Sequence, residues 1–192
     1  MELTVKSYFC VLILTMITIH DRPFQPYINR TKIAERIQAL AIQLRADYAD
    51  TTPYFIGLLN GAFIFTADLV RAFGQPCYIS FTKLSSYQGL SSGGEVHTLI
   101  GLEKSISGKH LVIVEDIIDS GKTLHHFLQQ LQATTPASVR IATLLYKPDA
   151  VQYQIPINYC GFEIPNKFVI GYGLDYDGLG RQLPDIYQLA AD

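Results

Sequence analysis

One stretch near the middle of the chain constrains its fold more than any other. The apolar run His110-Leu111-Val112-Ile113-Val114 passes directly into Glu115-Asp116, and after Ile117-Ile118-Asp119 the chain reads Ser120-Gly121-Lys122-Thr123. A short apolar run of this kind suits a strand buried on both faces. Adjacent carboxylates are costly to bury without partners, so they belong where that strand leaves the core. They make sense there if they face hydroxyl groups or a hydrated cation. Residues 123–132 then read as a helix. Backbone N–H groups at a helix start, beside a glycine that lets a ligand approach closely, form an anion socket. The hydroxyls of Ser120 and Thr123 add donors. An acid pair, a short gap and an anion socket together suit a sugar phosphate. The same string could cap a helix and solvate its acids, but the whole of it directly after an apolar strand favours binding. Gly121-Lys122-Thr123 is not the end of a P-loop, because that motif needs glycine where Asp116 stands.

The rest of the chain repeats the alternation. Residues 31–48 carry a helical stripe of Ile33, Ile37, Leu40, Ala41 and Leu44. Residues 54–59 form a compact apolar run closed by Asn60-Gly61, and residues 62–73 read as a helix. Residues 77–81, 139–145 and 168–170 are further strand candidates. Residues 83–95 are polar, with Gly89, Gly93, Gly94 and several serines, and read as a mobile loop or open hairpin with 96–100 as its return strand. Strands alternating with helices give an α/β chain with a mostly parallel central sheet flanked by helices. Ligands of such sheets sit beyond the carboxyl ends of the strands.

At 192 residues and 48% hydrophobic, the chain can bury a real core as a single domain spanning 1–192. A net charge of -2 gives no global pull toward nucleic acid or an anionic membrane. Three widely spaced cysteines, with no C-x-x-C, argue against a disulfide framework or a structural zinc and for a reducing compartment. The apolar run 8–19 is too short to span a membrane. No small-residue cleavage site follows it, so it reads as a buried strand with an irregular leader rather than an export signal.

The string from Val112 to Leu124 resembles the phosphoribosyl-pyrophosphate motif of the hypoxanthine-guanine phosphoribosyltransferases, and the likeness runs from about Phe24 to Gln188. The resemblance implies the type I phosphoribosyltransferase fold, with a small hood subdomain built from the terminal segments. It also implies purine salvage by a glycosyltransferase of the pentosyl class: phosphoribosyl transfer from phosphoribosyl pyrophosphate to hypoxanthine or guanine, with Mg2+ as cofactor. Glu115, Asp116, Asp119, Ser120, Gly121, Lys122 and Thr123 would bind phosphoribosyl pyrophosphate, with Asp119 as the catalytic general base toward purine N7. Gly57-Leu58-Leu59-Asn60-Gly61 resembles the family's pyrophosphate loop, which carries a cis non-proline peptide. Leu59, Asn60, Gly61 and Arg181 would hold pyrophosphate, although the family often has Lys where Asn60 stands. Ser86-Tyr87 matches the lid, which would exclude water from the site. Ile117, Lys147, Phe168, Val169 and Asp175 would form the purine end, Lys147 donating to O6 and Phe168 stacking. Glu115, Asp116 and Asp175 would meet magnesium. Taken without the motif, Lys147 reads as a surface residue and Phe168 as core.

The resemblance further implies a cytoplasmic homodimer or homotetramer whose partners are small molecules, not nucleic acid or membrane. A transferase preferring xanthine or adenine, or an RNA-binding regulator on the same fold, is the alternative. The regulator needs a basic patch with aromatics, and the Lys and Arg residues here are spread along the chain. Family members usually begin near the counterpart of residues 17–21, so residues 1–15 read as a non-essential leader. Truncation to Met16 is expected to leave folding, solubility and activity intact. Aggregation, or melting several degrees lower, would show that the leader is structural.

Overall fold

The computed structural model describes residues 16–86, 96–100 and 106–190. Its centre is a sheet of β3 (Tyr54–Leu59), β4 (Tyr78–Ser86), β5 (Val96–Ile100), β6 (His110–Ile118), β7 (Ser138–Tyr146) and β8 (Ile157–Glu163) in the order β5-β4-β3-β6-β7-β8. All neighbours pair in parallel except β4 with β5. Helices α1 (Arg30–Asp47) and α2 (Phe63–Phe73) pack on one face and α3 (Lys122–Gln132) on the other.

The two-residue period of the strands divides the core. Phe55, Val112, Val114, Ala142 and Leu144 face Ile33, Ile37, Leu40, Leu44, Phe65 and Leu69 of α1 and α2. Ile56, Leu58, Leu111, Ile113 and Ile141 face Leu124, Phe127 and Leu131 of α3. Central strands are therefore apolar at consecutive positions, which is why they read as uninterrupted runs. Asn29 caps α1 by accepting from Lys32 N at 2.9 Å, and Gly74 ends α2 in the left-handed conformation at φ 63°.

A second sheet, in the order β1-β2-β10-β9, forms the hood from β1 (Ile17–Ile19), β2 (Arg22–Ile28), β9 (Val169–Ile170) and β10 (Ile186–Leu189). It is antiparallel, and its buried residues Ile28, Val169 and Ile186 join the α1/α2 core. Cys77 and Cys160 are free thiols. No helix among the described residues is long and apolar enough to cross a membrane. Residues 1–15, and with them the predicted leader, lie outside the described residues. So does Tyr87, while Ser86 is the last residue of β4.

The predicted strand 110–114 is longer in the structure. β6 pairs with β3 only as far as Val114, opposite Gly57, but stays paired with β7 through Ile118 opposite Tyr146. The acid pair thus lies on the last part of a strand whose β3 side has opened. The strand 77–81 likewise extends to Ser86, because β5 returns alongside it.

Candidate active site

Chain order reverses across the sheet between β3 and β6: β4 lies outward of β3 on one side, β7 and β8 outward of β6 on the other. The opening at such a switch point is where ligands of open α/β sheets bind. The loop after β3 and the end of β6 meet there. The Leu59-Asn60 peptide is cis. Gly61 packs against Asp116 so tightly that an added Cβ would run into its carboxylate, and Gly173 packs equally closely on the Gly61 carbonyl. Substitution at either glycine would push β3, β6 and the hood loop apart.

Both helices that start at this opening lack a side-chain cap, unlike the distant α1. Ala62 and Gly121 precede α2 and α3 without any such hydrogen bond, and Ser120 Oγ reaches only Lys122 N, at 3.4 Å. Phe63 N donates to Asn60 O at 3.4 Å, and the later first-turn N–H groups of the two helices make an anion socket at each start. The α3 socket is a hollow of about 120 Å3 lined by Glu115, Ile117, Ile118 and the run Asp119 to Leu124. It is held from behind by a segment that carried no sequence signal. Gln152 N and Tyr153 N both donate to Ser120 O, at 3.0 and 3.1 Å. The Tyr153 carbonyl also leaves no room for a Cβ on Gly121, whose φ is 77°.

Glu115 and Asp116 keep part of their surface open, yet enough protein surrounds them to strip their water. Burial, with Asp116 nearby, pushes the Glu115 carboxyl well up. Burial also raises Asp116, to about 6, with Asp175 adding to the rise while backbone N–H groups and Arg181 oppose it. The ordinary Asp116 value is 3.8, so between that and about 6 the folded chain holds a proton that the unfolded chain has released. Stability therefore falls as pH rises through this window, and the full cost is present at pH 7. Asp116→Asn is expected to raise the melting temperature of the ligand-free protein at pH 7 by at least about 3 °C, the shift made by roughly 1 kcal/mol in a chain of this size. At pH 4 the gain should vanish. Equal melting temperatures at pH 7 would show that the carboxylate is not strained.

At the far end of the cleft, Lys147 follows β7 and donates its backbone N–H to Ile118 O at 3.0 Å. The residue is only 6% exposed. Its Nζ donates to Asp119 Oδ2 at 2.7 Å, setting an ammonium beside a carboxylate at the mouth of the hollow. The alternative of a surface lysine is thereby excluded, and with it a core Phe168, which is 45% exposed. Opposite, Arg181 Nη2 lies 2.5 Å from Asp175 Oδ1.

Family-model comparison gives this geometry its context: residues 27–177 match the phosphoribosyl transferase domain. The chain belongs to the phosphoribosyltransferase family. Among curated members, the hypoxanthine-guanine phosphoribosyltransferase of Mycobacterium bovis is 42% identical over 171 residues, covering 82% of this chain and 85% of its own length. The Dictyostelium discoideum enzyme of that name is 39% identical over 163 residues, covering 82% and 91%. Among solved structures, a Trypanosoma cruzi hypoxanthine phosphoribosyltransferase in complex with the product IMP superposes with a TM-score of 0.81 at 38% identity, covering 86% of this chain and 93% of that one. A Bacillus anthracis hypoxanthine-guanine phosphoribosyltransferase gives 0.81 at 34%, covering 86% and 96%.

Within this phosphoribosyltransferase frame, the residues singled out from sequence fall into groups. Glu115, Ile117 and the run Asp119 to Thr123 share the hollow, and Lys147 joins them through Asp119. Asp116, Gly61, Asp175 and Arg181 converge beside it. Phe168 lines a hood hollow of about 260 Å3 with Arg22, Phe24, Tyr176 and Leu189. Tyr176 meets it edge-on at 5.8 Å. Val169 is buried in β9. Tyr176 and Gly173 lie in the string Lys167 to Tyr176 that resembles the family's base-binding end, without an individual role in the sequence reading, and Gly171-Tyr172-Gly173, with every φ positive, forms a tight hood turn there.

Proposed function

We propose that this chain is an oxopurine phosphoribosyltransferase, joining phosphoribosyl pyrophosphate to hypoxanthine or guanine with release of pyrophosphate. The observation that carries the reading is the Lys147–Asp119 pair. Guanine and hypoxanthine present an acceptor at O6 beside N7, whereas adenine presents an amino donor in place of O6. An ammonium set next to a carboxylate complements O6 next to an N7 that bears a proton. Against adenine, the same ammonium would face a second donor and gain no acceptor beyond Asp119.

In the reaction, the bond from the sugar's anomeric carbon to pyrophosphate breaks and a bond to purine N9 forms. Asp119 takes the N7 proton, returning electron density to N9, and gives it back in the reverse direction. Lys147 fixes the base by O6. Ile117 and Phe168 supply apolar surface for the ring, and Val169 the backbone for its edge. The α3 socket of Ser120, Gly121, Lys122 and Thr123 takes the 5′-phosphate. The start of α2, with Leu59, Asn60 and Gly61, takes pyrophosphate together with Arg181. Glu115 and Asp116 accept from the ribose hydroxyls. Ser86 and Tyr87 belong to the lid in this reading.

Magnesium fits the donor set. Its ligands are oxygens, and it commonly uses one or two carboxylates plus substrate phosphates rather than an all-protein cage. Glu115, Asp116 and Asp175 supply carboxylates, and no cluster of three or more metal-binding side chains is preformed among the described residues. When bound, the metal would neutralise charge gathering on the pyrophosphate oxygens. The test is pyrophosphate release on mixing the protein with Mg2+, phosphoribosyl pyrophosphate and hypoxanthine. Release that requires every component is the expected result, and none above background would overturn the reading.

A further inference from the structure

The carboxylates of the cleft already have a cation. Arg181 is held at two points: Nη2 on Asp175 Oδ1 at 2.5 Å, and Nη1 on Gly173 O at 2.7 Å. Its side chain is 26% exposed and that of Asp175 28%. Its charge also reaches Asp116, whose carboxyl it lowers while Asp175 raises it. The Gly173 carbonyl that fixes the guanidinium belongs to the residue packed on Gly61. Arg181 is therefore aimed at the junction of β6, the pyrophosphate loop and the hood turn, rather than into solvent. Asp175 is further steadied by Gly178 N at 2.7 Å, so the carboxylate is fixed whether or not the guanidinium stays.

Resting on the reading above, we propose that Arg181 is the cation that holds Asp175 when no divalent cation is bound. It occupies Asp175 until a divalent cation arrives together with the diphosphate, then yields Asp175 to the metal and turns its fork to the diphosphate. A bare cation competing for Asp175 takes the only carboxylate among the described residues in contact with a partly buried guanidinium and leaves it the Gly173 carbonyl alone, which is costly. A cation bringing diphosphate gives that guanidinium phosphate oxygens, which it binds as well as it binds carboxylate. One side chain thus makes metal entry depend on the substrate. On product release the exchange reverses, Asp175 recovering the arginine as metal and pyrophosphate leave.

The test follows Mn2+ binding to the full chain by equilibrium dialysis, with and without pyrophosphate, the Mn2+ retained on the protein side being read against the same dialysis without protein. Wild type is expected to bind bare Mn2+ weakly and to bind it at least about tenfold more tightly, a gain of about 1.4 kcal/mol, once pyrophosphate is added. Arg181→Gln is expected to bind bare Mn2+ at least about tenfold more tightly than wild type, again about 1.4 kcal/mol, and to gain less from pyrophosphate. Arg181→Lys keeps the charge but cannot make both contacts, so its affinity for bare Mn2+ should fall between the two, and it carries the test if the glutamine variant does not fold. Arg30→Gln makes the same change of charge at a residue paired with Asp185, outside the cleft, and should match wild type. Arg181 variants that bind bare Mn2+ no better than wild type, or an equal gain in Arg30→Gln, overturn the proposal alone. A wild-type protein that cannot bind Mn2+ even with pyrophosphate overturns the reading of the site on which it rests.

Discussion

Asp119→Asn is expected to lower kcat by at least about a hundredfold, the scale on which a positioned general base contributes. The substitution suits the question because an amide oxygen can still accept from Lys147 Nζ across the 2.7 Å that Asp119 Oδ2 spans. Packing at the mouth of the hollow and the backbone of the α3 socket should survive. What goes is the ability to take a proton from N7. Affinity for phosphoribosyl pyrophosphate should therefore change little, and the loss should appear in turnover. Single-turnover rates together with equilibrium binding of phosphoribosyl pyrophosphate separate the two. Near-normal turnover would remove Asp119 from the chemistry.

Lys147→Ala is expected to cut kcat/KM for hypoxanthine by about 10- to 100-fold, the range of one good base-edge contact, while leaving the slow rate with adenine unchanged or improved. Two effects must be separated, because the lysine stem is buried and its loss leaves a hole. Lys147→Met keeps the stem and removes the ammonium, so it should show the same change of preference with better stability. Alanine and methionine variants that lose stability but keep the wild-type order of bases would make Lys147 a packing residue and nothing more.

These residues also show how much was legible in advance. β3, β6 and β7 stood out because central strands buried on both faces are apolar at every position. α1 stood out because only one of its sides is buried. The apolar run of β6 breaks at Glu115, so hydrophobicity ends the strand at Val114 while backbone pairing to β7 continues to Ile118. The hood strands gave weaker signals. β2 contains Pro23 and Pro26, which deny it two ladder donors, yet it pairs on both sides, with a register shift next to Tyr187 where Pro26 is met. β8 lies at the sheet edge, and Asn158, Gly161 and Glu163 break up the apolar run that marks the central strands.

At the site, the acid pair and the α3 socket were visible because they are contiguous in sequence. The ion pairs were not. Lys147 meets Asp119 across 28 residues, and the hold of Arg181 on Asp175 and Gly173 depends on a hood turn whose shape is set by glycines with positive φ. Sequence placed these residues in one site. Only the fold pairs each cation with its carboxylate, and those pairings carry both the base-reading argument and the proposal for metal entry.

The central claim is that the Lys147–Asp119 pair selects a 6-oxopurine. Initial rates with hypoxanthine, guanine, xanthine and adenine, each against saturating phosphoribosyl pyrophosphate and Mg2+, test it most directly. Hypoxanthine or guanine should exceed adenine in kcat/KM by at least about a hundredfold, because a site built to hydrogen-bond one group strongly rejects an analogue that leaves its polar groups unpaired. Adenine turned over as fast as hypoxanthine would contradict the account.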